Sequence, residues 1–177
     1  MRVELYVQDC YYESSQSEAL CSGEKDAHIT VETWKDWFEC WLEILQPSIS
    51  PASGYEVGLR LTDNSEILTL NQQYRHQNKP TDVLSFAALE VDTPQLAEID
   101  AQEPLYLGDI VISVETAQQQ AQQQEHPLPT ELAWLAAHGL LHLLGWDHPD
   151  EESLSQMLKQ QVMLLKAVGI DTDFEEQ

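Results

Sequence analysis

The chain has 177 residues, and 31 acidic side chains against 8 basic ones give it a formal net charge of −23. That length suits one ordinary domain with a real core. With 42% apolar and 22% charged residues the composition is that of a globular protein. Every apolar run is broken well before twenty residues, which excludes a bilayer-spanning helix.

The first ten residues, MRVELYVQDC, hold Glu4 and predict no secretory signal. Cys10, Cys21 and Cys40 are far apart and form no CxxC pair. Such cysteines are expected of a reduced, cytoplasmic protein rather than of a disulfide scaffold or a Cys-rich zinc module. No Lys or Arg lies between Lys79 and Lys159. A surface so acidic repels polyanions at long range and argues against non-specific nucleic-acid binding; basic protein partners, a salty cytoplasm or plain solubility all suit it.

In chain order, alternation of Val3, Leu5 and Val7 with polar neighbours predicts a half-buried strand over 1–7. Residues 10–29 are polar and without period, as a flexible insertion would be. Thr30 is placed to cap a helix running to about Leu45, with Val31, Trp34, Trp37, Phe38, Trp41 and Leu45 on one stripe. Those tryptophans read as core rather than as a stacking platform. A strand is expected over Tyr55–Thr62, then a helix opened by Asp63–Glu66 with Ile67, Leu70 and Tyr74 on its apolar side. Val83–Ala87 suits a buried strand, 88–104 an acidic loop, and Leu107–Val114 another strand leading into a Gln-rich helix.

Pro129 and Thr130 open the apolar helix ELAWLAAHGLLHLL, which stops at Gly145. Asp150 caps a last helix carrying Leu154, Met157, Leu158, Met163, Leu164 and Leu165. This pattern predicts a single α+β domain over 1–177, a small sheet covered by helices.

His138, His142 and His148 stand in the run HGLLHLLGWDH. At i and i+4 the first two imidazoles project from one face of a helix. Gly145 can take a positive φ, ending the helix and turning the chain so that His148 returns to the same point. Three nitrogen ligands with a fourth position open are the layout of a catalytic zinc rather than a structural one, and nickel also suits imidazole. Asp147 is placed to orient one of the rings. The spacing is that of the metzincin proteases, but their glutamate base is absent: position 139 is Gly. Without it peptide cleavage is expected to be poor.

The run HGLLHLLGWDH resembles the metal-binding motif of the YbeY family of bacterial rRNA maturation factors, single-strand endoribonucleases. LNQQYRHQNKPTDVLSF (70–86) and LGDIVIS (107–113) are similar to two further blocks of that family, in the same order. The likeness covers about Tyr55 to Gly169; 10–29 and 88–104 fall outside it, and Ala87 stands where the family often has Pro. It implies an α+β fold with a small, mostly parallel sheet. It also implies His138, His142 and His148 as ligands of one zinc, and Arg75 as the essential basic residue. Action in 16S rRNA 3′-end maturation and ribosome quality control, with the small ribosomal subunit and its assembly proteins as partners, follows from the same likeness.

The chemistry is sound without the name. A phosphodiester gains negative charge on its non-bridging oxygens in the transition state, which a metal ion and a guanidinium neutralise. A metal also lowers the pKa of water towards about 7, removing the need for a glutamate base; attack by the RNA 2′-OH is the other route. His76 and Lys79 are expected to extend the basic spot at Arg75, while Asp82, Ser85 and Asp109 are expected to support the fold. Two readings compete with the nuclease: a metal hydrolase of another substrate, such as a weak peptidase, and a non-enzymatic assembly factor with a structural metal.

Overall fold

The computed structural model describes residues 2–10, 29–45, 54–87, 105–146 and 150–170. The expected insertions therefore fall, from 11 to 28 and from 88 to 104, outside the described residues, as do Asp147 and His148. Four strands, β1 (Arg2–Asp9), β2 (Gly54–Thr62), β3 (Val83–Ala87) and β4 (Leu105–Ser113), make one sheet in the order β1-β2-β4-β3. β1 and β4 flank β2 in parallel, and the short β3 runs antiparallel to β4 at the edge. Five helices complete the α+β fold: α1 (Val31–Leu45), α2 (Asn64–Arg75), α3 (Val114–Gln124), α4 (Leu128–Leu143) and α5 (Glu151–Ala167).

Period-two patterning decides the faces. Val3, Val57, Leu59, Leu61, Ile110 and Ile112 are buried in one core with α1, α3, α4 and α5. Tertiary ties hold those helices: Trp41 Nε1 of α1 donates to the Leu164 carbonyl of α5 at 2.9 Å. Trp34, Phe38 and Trp41 are wholly buried and pack ring to ring, as core. The opposite face is covered by α2, whose Ile67 packs on Leu84 and Val111.

Local signals placed most ends. Thr30 Oγ accepts from Thr33 N at 3.1 Å and Asp63 Oδ1 from Glu66 N at 2.9 Å, capping α1 and α2. Asp150 and Ser153 form a reciprocal capping box on α5; the backbone donors bound there hold the Asp150 carboxyl below its ordinary value.

Several expectations are revised. β1 continues to Asp9, and Ile29 is buried rather than part of a flexible insertion. β4 runs from Leu105 to Ser113, and Ser113 caps α3, so that Val114 belongs to the helix. Val31, Tyr74, Leu154 and Met163 are exposed rather than core. Helical period fixes which side of a helix a residue takes but not how far the neighbouring layer extends over it.

Two glycines are required by geometry. Gly108 has φ +137° where β4 bulges against Glu56 and Val57, a conformation side chains disfavour. Gly139 lies where α4 crosses the sheet: a Cβ there would meet Ile110 Cγ2 at 2.7 Å and Ser85 Oγ at 3.2 Å. Gly139→Ala is therefore expected to cost about 1–3 kcal/mol by overpacking, measured by urea unfolding.

At the first turn of α4, the buried Glu131 meets His126 Nε2 at 2.7 Å. Burial raises its pKa despite the pull of the histidine in the other direction. A raised folded-state pKa means that the folded chain holds this proton longer than the unfolded one. Ionisation therefore subtracts stability as pH rises through and above the ordinary carboxylate range. Glu131→Gln should match the parent near pH 4 and exceed it in unfolding midpoint at pH 7–8.

Candidate active site

A cleft of about 460 Å³ opens between the end of α2, the edge strand β3 and the last turn of α4. Arg75, Val83, Leu84, Ser85, Ala87, His138, His142, Gly145 and Trp146 line it. Among the described residues no carboxylate lines it.

His138 and His142 face one another across one turn of α4, with Nε2 atoms 3.0 Å apart and ring planes at 77°. Two nitrogens each about 2.0–2.1 Å from a tetrahedral zinc stand about 3.3 Å apart, so the pair is within a small adjustment of sharing one ion. His138 Nδ1 meets Gln161 Oε1 of α5 at 3.1 Å. Both rings lie near the C-terminus of α4, where the helix dipole favours a cation.

The helix ends as the sequence predicts. Gly145 has φ +97°, its N–H bonds the His142 carbonyl at 3.0 Å, and the Trp146 N–H bonds the Leu141 carbonyl at 2.9 Å. This double closure ends the helix and lays Trp146 against the cleft. His148 and Asp147 follow outside the described residues, so the described donor set is two imidazoles, which suit zinc or nickel.

Arg75 is the last residue of α2 and reaches across β3. Its Nη2 donates to the Ser85 carbonyl at 2.6 Å, and its guanidinium lies 5.8 Å from the Phe86 ring centroid. The edge position makes this possible, because among the described residues no strand pairs with the outer side of β3. Ser85 also ties the wall to α4, its Oγ donating to the Gly139 carbonyl at 3.2 Å. Behind Arg75, His76 turns the chain at φ 57°, and the buried Asn71 donates to the Lys79 carbonyl at 2.9 Å. His76 and Lys79 are exposed beside Arg75 and are not among the side chains that line the cleft.

Asp82 supports the fold as expected, accepting from Val83 N at 2.7 Å and from Gln120 at 3.2 Å. Asp109 lies on the other face, in a hollow of about 750 Å³ among Tyr6, Tyr74, Phe86 and Tyr106. Arg60 on that face is taken up by Glu66 through contacts of 2.6 and 2.8 Å. Sequence reasoning missed Gln161; the signal available was a polar residue amid the buried positions Met157, Val162, Leu164 and Leu165.

The fold and cleft define a single-domain α+β protein in which a helical histidine pair and an arginine face one small concavity. Comparison with known proteins makes the assignment narrower. The family model described as endoribonuclease YbeY matches residues 20–169. A protein of that name from Nostoc sp. is 66% identical over 171 residues, covering 97% of this chain and 92% of the relative. One from Trichormus variabilis is 67% identical over 170 residues and covers 96% of both. A solution structure from Thermotoga maritima superposes with a TM-score of 0.53 at 24% identity, covering 94% of this chain and 89% of that one, a likeness of fold. The chain belongs to the endoribonuclease YbeY family.

Ser85→Ala removes the bond to Gly139 and should lower stability by about 0.5–1.5 kcal/mol. Arg75→Ala, on an exposed side chain, should shift it by no more than about 0.5 kcal/mol. Chemical denaturation of both variants checks the contrast.

Proposed function

We propose that this protein is a zinc-dependent endoribonuclease that cuts single-stranded RNA in the cytoplasm, acting in 16S rRNA 3′-end maturation and ribosome quality control. The observation that carries the reading is the pair of Nε2 atoms 3.0 Å apart in the same cleft as Arg75, a cleft whose described lining holds no carboxylate. The family assignment supports RNA as the substrate class.

His138 and His142 would hold the ion together with His148, and nickel fits the same nitrogen donors. A zinc bound there supplies a Lewis acid at the scissile phosphate and lowers the pKa of the attacking water or 2′-hydroxyl. Arg75 acts on the substrate directly. One of its five N–H groups is given to the Ser85 carbonyl, which fixes the plane of the fork. The others address the non-bridging oxygens, where negative charge grows in the transition state. The volume of about 460 Å³ suits a nucleotide or two of an unpaired strand rather than a duplex.

The peptidase alternative is opposed by packing. A protease base would have to stand at residue 139, where even a methyl group meets Ile110 at 2.7 Å. Orientation of the His148 ring is the role proposed for Asp147.

A net charge of −23 predicts weak affinity for free RNA, with docking on the small ribosomal subunit and its assembly proteins supplying specificity. No helix among the described residues is long and apolar enough to cross a membrane.

Protein purified without added metal should carry about one zinc per chain, lost in His142→Ala. Arg75→Ala should keep zinc and fold but lose cleavage of a single-stranded RNA oligonucleotide by about 100-fold or more, the scale of one lost transition-state donor. Equal loss of folding would make Arg75 structural. Binding of that oligonucleotide should vary with salt with a log–log slope of about −1, for one or two phosphate contacts; a steep slope would overturn the weak-binding account.

A further inference from the structure

Gln161 is fully buried in the middle of α5. A buried amide needs a partner at each end, since its NH2 only donates and its oxygen only accepts. Nε2 stands 3.3 Å from the Trp134 carbonyl oxygen, and Oε1 stands 3.1 Å from His138 Nδ1. A carbonyl can only accept, so the NH2 must face Trp134; the reverse orientation would set two oxygens together with no proton between them. Oε1 is then the atom at His138, and it too can only accept. The proton between them therefore sits on Nδ1, an assignment made by the network itself.

The consequence reaches the cleft. With Nδ1 protonated, neutral His138 presents Nε2 as an accepting lone pair, and that atom is the one 3.0 Å from His142 Nε2. In the metal-free protein the hydrogen bond between the two rings is then donated by His142. Direction is continuous along the chain of groups, from His142 to His138 to Gln161 to Trp134. Trp134 is four residues before His138 on α4, so a single amide on α5 grips two successive turns of that helix.

We propose that Gln161 is a positioning residue that locks His138 in its Nδ1–H tautomer and ring orientation, so that Nε2 faces the cleft as a metal-ligating lone pair. This rests on the reading of the histidine pair as a metal site. Hydrogen bonds of this kind behind a metal-binding histidine fix the tautomer and raise ligand basicity, and their loss typically weakens metal affinity about 10–100-fold.

The test uses the full chain, metal-free and labelled with 15N-histidine, with the ring tautomers read from two-bond proton–nitrogen spectra. His138 is expected as Nδ1–H in the parent protein. Gln161→Met, close in volume but without the acceptor, should shift His138 towards Nε2–H and weaken zinc binding about 10–100-fold in chelator competition. Gln161→Glu keeps an acceptor opposite Nδ1 and, with its other oxygen protonated in this buried position, still donates to the Trp134 carbonyl, so it should preserve the Nδ1–H tautomer. A parent His138 found as Nε2–H overturns the proposal, as does a folded Gln161→Met with the parent's tautomer and zinc affinity. If Gln161→Met fails to fold, the parent spectrum and Gln161→Glu decide. A parent that binds no zinc refutes the metal-site reading, and with it the stated role, while an Nδ1–H tautomer in the same sample would leave the hydrogen-bond assignment standing.

Discussion

Helix α4 can lie against β3 and β4 as it does because residue 139 has no side chain; a Cβ there would stand 2.7 Å from Ile110 and 3.2 Å from the Ser85 hydroxyl. The close approach allows Ser85 Oγ to reach the Gly139 carbonyl, and Ser85 in turn offers its own carbonyl to Arg75. One missing side chain thus sets how far the helix that carries the imidazoles lies from the edge strand that holds the guanidinium. It also explains why a protease-like motif lacks a protease's base: the position that would carry the carboxylate is spent on packing. A dense core transmits such a constraint, because neighbours cannot yield without loss of contact elsewhere.

The electrostatic arrangement follows the same economy. In a chain with 31 acidic residues, the described cleft wall has none, and Arg75 is its permanent cation. Arg60, on the opposite face, is gripped by Glu66 in a two-pronged ion pair, so its charge is locally compensated. Among the described residues Arg75 meets a carbonyl and an aromatic ring, neither of which cancels its charge. An anion therefore finds a favourable place at Arg75 in a chain whose net charge of −23 repels it at long range.

Helix ends do the positioning. Arg75 closes α2, and the turn behind it is held by the left-handed His76 and by Asn71. His142 lies in the last turn of α4, and Gly145 ends the helix just beyond. Both ends present negative dipole termini towards the cleft, which favours a guanidinium and a metal cation in that neighbourhood. Helix α5, capped by Asp150, then crosses behind α4 and brings Gln161 to the back of His138.

Much of this was legible in the chain. Caps at Thr30, Asp63 and Asp150, the stop at Gly145 and the alternation in β2 are local, decided by hydrogen bonds and side-chain periods within a few residues. The i, i+4 spacing put His138 and His142 on one helical face for the same reason, and the motif blocks carried the family. What local pattern could not supply was any distance between elements. That Val31, Tyr74 and Met163 are exposed depends on where a neighbouring layer ends. That Arg75 meets β3, that Gly139 is a spacer rather than a gap in a motif, and that Gln161 stands behind His138 depend on the packing of α2, α4 and α5 around the sheet. Sequence by itself determined the elements, the family and the candidate ligands, because those rest on short-range geometry. Only the tertiary structure decided which groups share the cleft and how their hydrogen bonds are directed, because such contacts, like that of Ser85 with Gly139 54 positions on, join residues that meet only when the core closes.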